Sequence, residues 1–201
     1  ISCARRSHYR INVSSEESAG LEKYLELREK KRNISRVEIP GHKASLLLTA
    51  FPGRTSANTF STKKMSSVFN LLGNEGCSHF LSLVEDDEFD NYCCKAVLEA
   101  EAKKRLINWV HLPIGDMDIP KNDTLYGLNK IRPQLLEAIN RDLSIAIHCM
   151  GGLGRSGTIA AIILADLGIP LQSAIDRVRQ FRPGAIETKA QENFVLHSSL
   201  N

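Results

Sequence analysis

Several features are missing from this chain, and each absence excludes something. No uninterrupted apolar run is long enough to cross a bilayer, the richest being 159–165, so no membrane span is expected. Internal repeats and low-complexity tracts are absent. Hydrophobic residues make up 42% and charged residues 24%, which argues against wholesale disorder. One-sided charge is also absent: the formal net charge of +3 arises within residues 1–40, and the remainder is balanced. A neutral main body does not make a nucleic-acid clamp, so no nucleic-acid partner is expected. The five cysteines (Cys3, Cys77, Cys93, Cys94 and Cys149) are odd in number and irregular in spacing, a poor disulfide framework. Reduced thiols in a cytoplasmic compartment are the expectation. No secretory signal is seen, but the sequence opens at Ile1 rather than Met, which leaves export to another compartment open. Cys and His do not pair at ligand spacing, so neither zinc nor another cofactor is expected.

What remains is a chain of 201 residues, enough for one domain and expected to be a monomer. Residues 1–38 read as an N-terminal extension, partly helical, with Leu21, Tyr24, Leu25 and Arg28 on one face of a charged helix. From residue 39 short apolar runs at 46–50, 80–84, 106–111 and 143–147 read as buried strands. Helical spacing fills 62–74, 89–104, 122–140, 155–167, 171–181 and 187–198, with Pro133 expected to kink or split the 122–140 helix. The alternation predicts an α/β domain over 39–201, with a mostly parallel central sheet flanked by helices.

The chemistry concentrates in His148-Cys-Met-Gly-Gly-Leu-Gly-Arg-Ser156, between an apolar strand and an apolar helix. Its three glycines let successive amides turn inward as an anion-binding nest formed by Met150, Gly151, Gly152, Leu153, Gly154 and Arg155. The helix start adds its positive end to the same place. A thiol in such a nest, Cys149, is stabilised as the reactive thiolate. Arg155 offers a planar fork to two phosphoryl oxygens, and Ser156 offers its hydroxyl to the sulfur. The combination suits attack by sulfur on a phosphate monoester and a phosphocysteine intermediate. No Gly-Lys-Ser/Thr follows, so this is not a nucleotide loop. His148 is expected to be buried, holding the loop by hydrogen bonds.

The stretch resembles the His-Cys-x5-Arg-Ser/Thr signature of the Cys-based protein tyrosine and dual-specificity phosphatases, most closely the cyclin-dependent kinase inhibitor 3, or kinase-associated, type. Ala50-Phe-Pro-Gly-Arg54, His111-Leu-Pro-Ile-Gly-Asp116 and Gly184-Ala-Ile-Glu-Thr-Lys-Ala-Gln191 match that branch in order. The resemblance implies a general acid followed by Pro four residues on, which Asp116 and Pro120 satisfy and Asp118 does not. Asp118 then reads as a turn former. Gln191 is implied to help orient the hydrolytic water. Glu187 stands where many relatives carry Gln, and a cap on the final helix is its other reading. Arg54 emerges at the same sheet edge as a candidate substrate contact. The implied activity is hydrolysis of phosphotyrosine and of phosphoserine or phosphothreonine in a phosphorylated protein partner. A phosphoprotein-binding pseudophosphatase and a phosphoinositide phosphatase are the alternatives. The first would need Cys149, Arg155 or the acid to be missing, and the second favours Lys or His inside the loop. A reversible disulfide between Cys77 and Cys149 is one reading of the cysteine that heads the second strand.

Overall fold

The computed structural model describes residues 34–92 and 94–198. The charged helix expected around Leu21–Arg28 lies outside them. Five strands form one sheet: β1 (Ile34–Glu38), β2 (Ser45–Thr49), β3 (Cys77–Ser82), β4 (Asn108–His111) and β5 (Ser144–His148). Their spatial order is β1-β2-β5-β3-β4. β1 runs antiparallel to β2, with Val37 opposite Leu46, and every other pairing is parallel. The mostly parallel α/β architecture expected from the sequence is the one observed. β1 is an addition to it. Only Val37 in this strand is fully buried, and so short and half-polar an edge strand gives a weak alternation signal. The sheet therefore starts before the expected boundary at residue 39.

Among the described residues seven helices surround the sheet: α1 (Thr62–Asn74), α2 (Asp86–Asp90), α3 (Lys95–Lys104), α4 (Asn122–Asn140), α5 (Gly154–Asp166), α6 (Leu171–Phe181) and α7 (Lys189–Leu196). Alternate residues of the central strands feed two cores. Leu46, Leu48, Ile145 and Ile147 pack with Leu135, Ile159, Ile163 and Ile175 of α4, α5 and α6 on one face. Leu47, Phe80 and Ala146 pack with Phe69, Leu72 and Leu98 of α1 and α3 on the other. This is why β2 and β5 read as continuous apolar runs: both their faces are covered.

Two helix expectations change. The 89–104 stretch is two helices: a capping box of Glu85 and Glu88 starts α2 before Phe89, α2 ends at Asp90, and α3 starts at Lys95. The 122–140 helix is not split at Pro133; it continues as α4, anchored by buried Leu128 on one side of the proline and Leu135, Ala138 and Ile139 on the other. Among the described residues no helix is long and apolar enough to cross a membrane. The parallel strands all end at one edge, and the loops after β2, β3, β4 and β5 meet there.

Candidate active site

The loop from β5 to α5 is held open by its carbonyls. The Met150 carbonyl accepts from the Phe51 amide (3.2 Å), and the Leu153 carbonyl from the amides of Gly157 (2.9 Å) and Ile186 (3.3 Å). Arg182 donates from Nη2 to Gly151 O (3.1 Å) and from Nε to Gly152 O (3.0 Å). With successive carbonyls turned outward, the amides turn inward, which is the nest the glycines predict. Gly152 sits at φ +68°, where a Cβ would run into the Thr49 carbonyl. Its amide donates to Cys149 Sγ at 3.1 Å. Cys149 is buried, and Arg155 and Arg182 both interact electrostatically with its sulfur.

Behind Cys149 lies a buried relay. Trp109 Nε1 donates to Ser82 Oγ (2.7 Å), and Ser82 Oγ lies 2.6 Å from His148 Nε2. A backbone carbonyl can only accept, so the ring nitrogen facing the Cys149 carbonyl must be the donor, and Nε2 accepts from the Ser82 hydroxyl. The ring proton of His148 therefore sits on Nδ1, which faces the Cys149 carbonyl at 3.3 Å. Burial pushes the His148 pKa down to about 3, so the ring is neutral. It stacks on Phe80 and meets the edge of Phe51. His148 is thus buried, as expected, and bonded to Ser82 and to the Cys149 carbonyl.

Arg155 is almost wholly buried at the start of α5. Its Nη1 and Nη2 donate to the two oxygens of Glu88 (2.6 and 2.9 Å), Nη1 also to Ile114 O (2.9 Å), and Nη2 to Asp116 Oδ1 (2.9 Å). Burial opposes the charge, but hydrogen bonding to Glu88 and the charges of Cys149, Glu88 and Asp116 outweigh it and raise the pKa. The fork is thus fixed by Glu88 with Nε–H left over. A phosphoryl group can take that donor together with the Nη2–H now on Asp116. Glu88 was not foreseen; the capping box marks its backbone position, but nothing in its spacing ties it to Arg155.

Asp116 and Asp118 separate clearly. Asp116 reaches Arg155 while its side chain stays 71% exposed over the pocket. Asp118 pairs with Lys121 (2.5 Å) and accepts from the Ile119 amide, and these bonds, Lys121 first, hold its pKa below the usual carboxylate range. Gln191 is buried: Oε1 accepts from the amides of Glu187 and Thr188, and Nε2 donates to the Asp118 carbonyl (3.1 Å). It ties the loop of Asp116 and Asp118 to α7, and these side-chain bonds go to backbone groups. Thr188, not Glu187, caps α7; Glu187 instead accepts from the Gly154 amide (2.7 Å). Ser156 Oγ is buried and finds no hydrogen-bond partner among the described residues, so the expected bond to sulfur is not formed here. Arg54 is exposed, with Nε on Asn58. The Cys77–Cys149 disulfide is ruled out. Cys77 lies opposite Ser144 at the far end of the sheet, five strand residues from Cys149, about 16 Å at the strand rise against the roughly 7 Å limit for bridging. Burial also pushes the Cys77 thiol up to about 12.

The family model for the DSP-PTPase phosphatase domain of Swiss Army Knife proteins matches residues 52–195. The chain belongs to this family. Cyclin-dependent kinase inhibitor 3 of Rattus norvegicus is 38% identical over 88 residues, covering 42% of this chain and 40% of that protein. PRL-1 phosphatase of Drosophila melanogaster is 38% identical over 50 residues, covering 25% and 28%. The matched stretches thus span less than half the length of either relative. In three dimensions this DSP-PTPase domain is similar to kinase-associated phosphatase carrying serine for its catalytic cysteine, with TM-score 0.68, 27% identity, and 81% and 91% of the two chains covered. PTPMT1, solved in complex with PI(5)P, shares the fold at TM-score 0.62 and 21% identity, over 81% and 92% of the two chains.

Proposed function

We propose that this DSP-PTPase domain is a catalytically competent, Cys-dependent phosphoprotein phosphatase of dual specificity. The observation that carries it is the convergence of Cys149 Sγ, inward amides, the Glu88-braced fork of Arg155 and exposed Asp116 at one sheet edge. In the first step the Cys149 thiolate attacks phosphorus, the P–O bond to the substrate breaks, and Asp116 gives its proton to the departing oxygen. The nest amides and Arg155 hold the equatorial oxygens throughout. In the second step water attacks the phosphocysteine, Asp116 takes back a proton, and the S–P bond breaks to release phosphate and the thiolate.

Protein substrates stand ahead of phosphoinositides because Met150–Gly154 contributes no cation for additional phosphates. The pseudophosphatase alternative lacks its premise, since nucleophile, arginine and acid are all present. The test is hydrolysis of p-nitrophenyl phosphate, phosphotyrosine and phosphothreonine peptides, and PI(5)P by the wild type and Cys149→Ser. Wild-type turnover of the aryl phosphate and both peptides, abolished by Cys149→Ser, is expected. Equal rates in the two proteins, or none in either, would remove the enzyme reading. A clear preference for PI(5)P would move it to lipid.

A further inference from the structure

Glu187 lies in a turn that is fixed from several sides. Arg179 donates from Nε to Ala185 O (3.2 Å) and from Nη2 to Ile186 O (3.1 Å). The Ile186 amide donates to Leu153 O, and the Glu187 amide to Gln191 Oε1 (3.0 Å). Within this turn Ile186 has φ +60°, a backbone state that β-branched residues rarely adopt. Strain of this kind persists only where the surroundings impose it, and it concentrates at functional sites. Here its result is specific: the next side chain, Glu187, lies against the phosphate nest.

Glu187 Oε2 accepts from the Gly154 amide at 2.7 Å. Gly154 opens α5, so its N–H has no partner within the helix and belongs to the donors available to a phosphoryl group. A Cβ at position 154 would lie 2.6 Å from Glu187 Oε2 and 2.9 Å from Gln191 Oε1. Glycine is therefore what leaves room for the carboxylate. The nest thus holds an anion supplied by the chain itself.

We propose that Glu187 is an internal anion of the phosphate pocket that competes with phosphate for the Gly154 amide and limits how tightly the pocket retains that ion. The inference rests on the phosphatase reading of the site. A bound phosphate must turn the carboxylate aside or share a donor with a like charge, and either weakens its hold. Inorganic phosphate, the product, is then released readily.

Isothermal titration of inorganic phosphate into the wild type and Glu187→Gln tests this without needing turnover. Gln keeps the shape and an acceptor for Gly154 but removes the charge, and is expected to bind phosphate roughly 10-fold tighter after allowance for solvent screening. Unchanged or weaker binding would overturn the proposal. Circular dichroism melting checks that the variant is folded; should it not be, Glu187→Ala takes its place with the same two outcomes. The two readings fail separately. A chain that hydrolyses phosphoesters but has the same phosphate affinity in both proteins sinks only the Glu187 proposal. One in which Glu187→Gln tightens phosphate binding but the wild type turns over no phosphoester sinks the phosphatase reading.

Discussion

Asp116 and Asp118 are two positions apart on one loop, yet their partners give them different work. Asp118 is bound to Lys121 and its own turn, and its lowered pKa keeps it ionised, which suits a loop-forming residue and not a proton donor. Asp116 stays exposed and touches Arg155, at the place a phosphoryl group must enter. The discriminating quantity is leaving-group basicity. A phosphothreonine ester expels an alkoxide that needs its proton during cleavage, whereas an activated aryl phosphate expels a stable anion. Asp116→Asn should therefore lower kcat on the first by on the order of 10²- to 10⁴-fold and on the second much less. Asp118→Asn should be mild and uniform across substrates. Steady-state rates on both substrates check this, and a graded loss that followed Asp118 would shift the acid by two residues. The candidate site was legible in sequence where residues are close together: the span from His148 to Ser156 carries Cys149, the glycine turn and Arg155 in nine positions. It was not legible where folding supplies the partner. Glu88 and Arg182 reach the loop from 67 and 30 residues away, and no local pattern announces a residue whose role is to brace another's side chain.

Four helices end in the same way, and comparing them gives a prediction about elements. Gly76 after α1, Leu106 after α3, Asp142 after α4 and Gly168 after α5 all have positive φ. Each follows its helix by two residues and donates its amide back to a carbonyl of the last turn. Glycine suits this position, since a side chain there meets the following carbonyl. Leu106 is the anomaly: its side chain is 92% exposed, so no packing offsets the strain. Leu106→Gly should stabilise the domain by about 0.5–1 kcal/mol, read as a raised urea midpoint with unchanged slope. Asp142→Gly should gain less, because Asp142 Oδ1 also accepts from the Lys43 amide at 3.0 Å. A lowered midpoint for Leu106→Gly would refute the strain argument. These stops also show what sequence reading can and cannot place. The 62–74 and 171–181 helices were read to the residue, with glycine or proline punctuating nearby. The break between α2 and α3 was missed because no glycine or proline marks it between Asp90 and Lys95, which leaves the apolar spacing across 89–104 intact.

At the scale of the whole molecule, the sheet that gathers the candidate site at one edge also buries titratable groups, and this should appear in stability against pH. His148 is held neutral by burial, foremost, with the Arg155 charge adding to the effect against an opposing hydrogen bond to Cys149 O. Its pKa falls from 6.5 to about 3, so the unfolded chain binds a proton that the folded chain refuses across that interval. The stability is therefore complete above pH 6.5 and is lost progressively as pH falls toward 3. The slope from one such group is about 1.4 kcal/mol per pH unit. His79 and His111, both lowered by burial, act with the same sign just below 6.5. Asp86, Glu101, Asp118 and Glu192 also have lowered pKa values and destabilise in the same direction, but only in the more acidic carboxylate range. Asp166, raised by burial against the charge of Arg132, opposes them. Between pH 6.5 and 5 the histidines thus dominate. His148→Gln, whose amide can still accept from Ser82 and donate to the Cys149 carbonyl, should be less stable at pH 7 yet show a flatter decline over that window. The expected reduction is about 1.4 kcal/mol per pH unit in urea-unfolding free energy, with His79 and His111 leaving a residual slope. An unchanged slope in His148→Gln would mean that the ring already carries its proton in the folded chain. Ser82 could not then be its donor, and the relay from Trp109 would have to run another way.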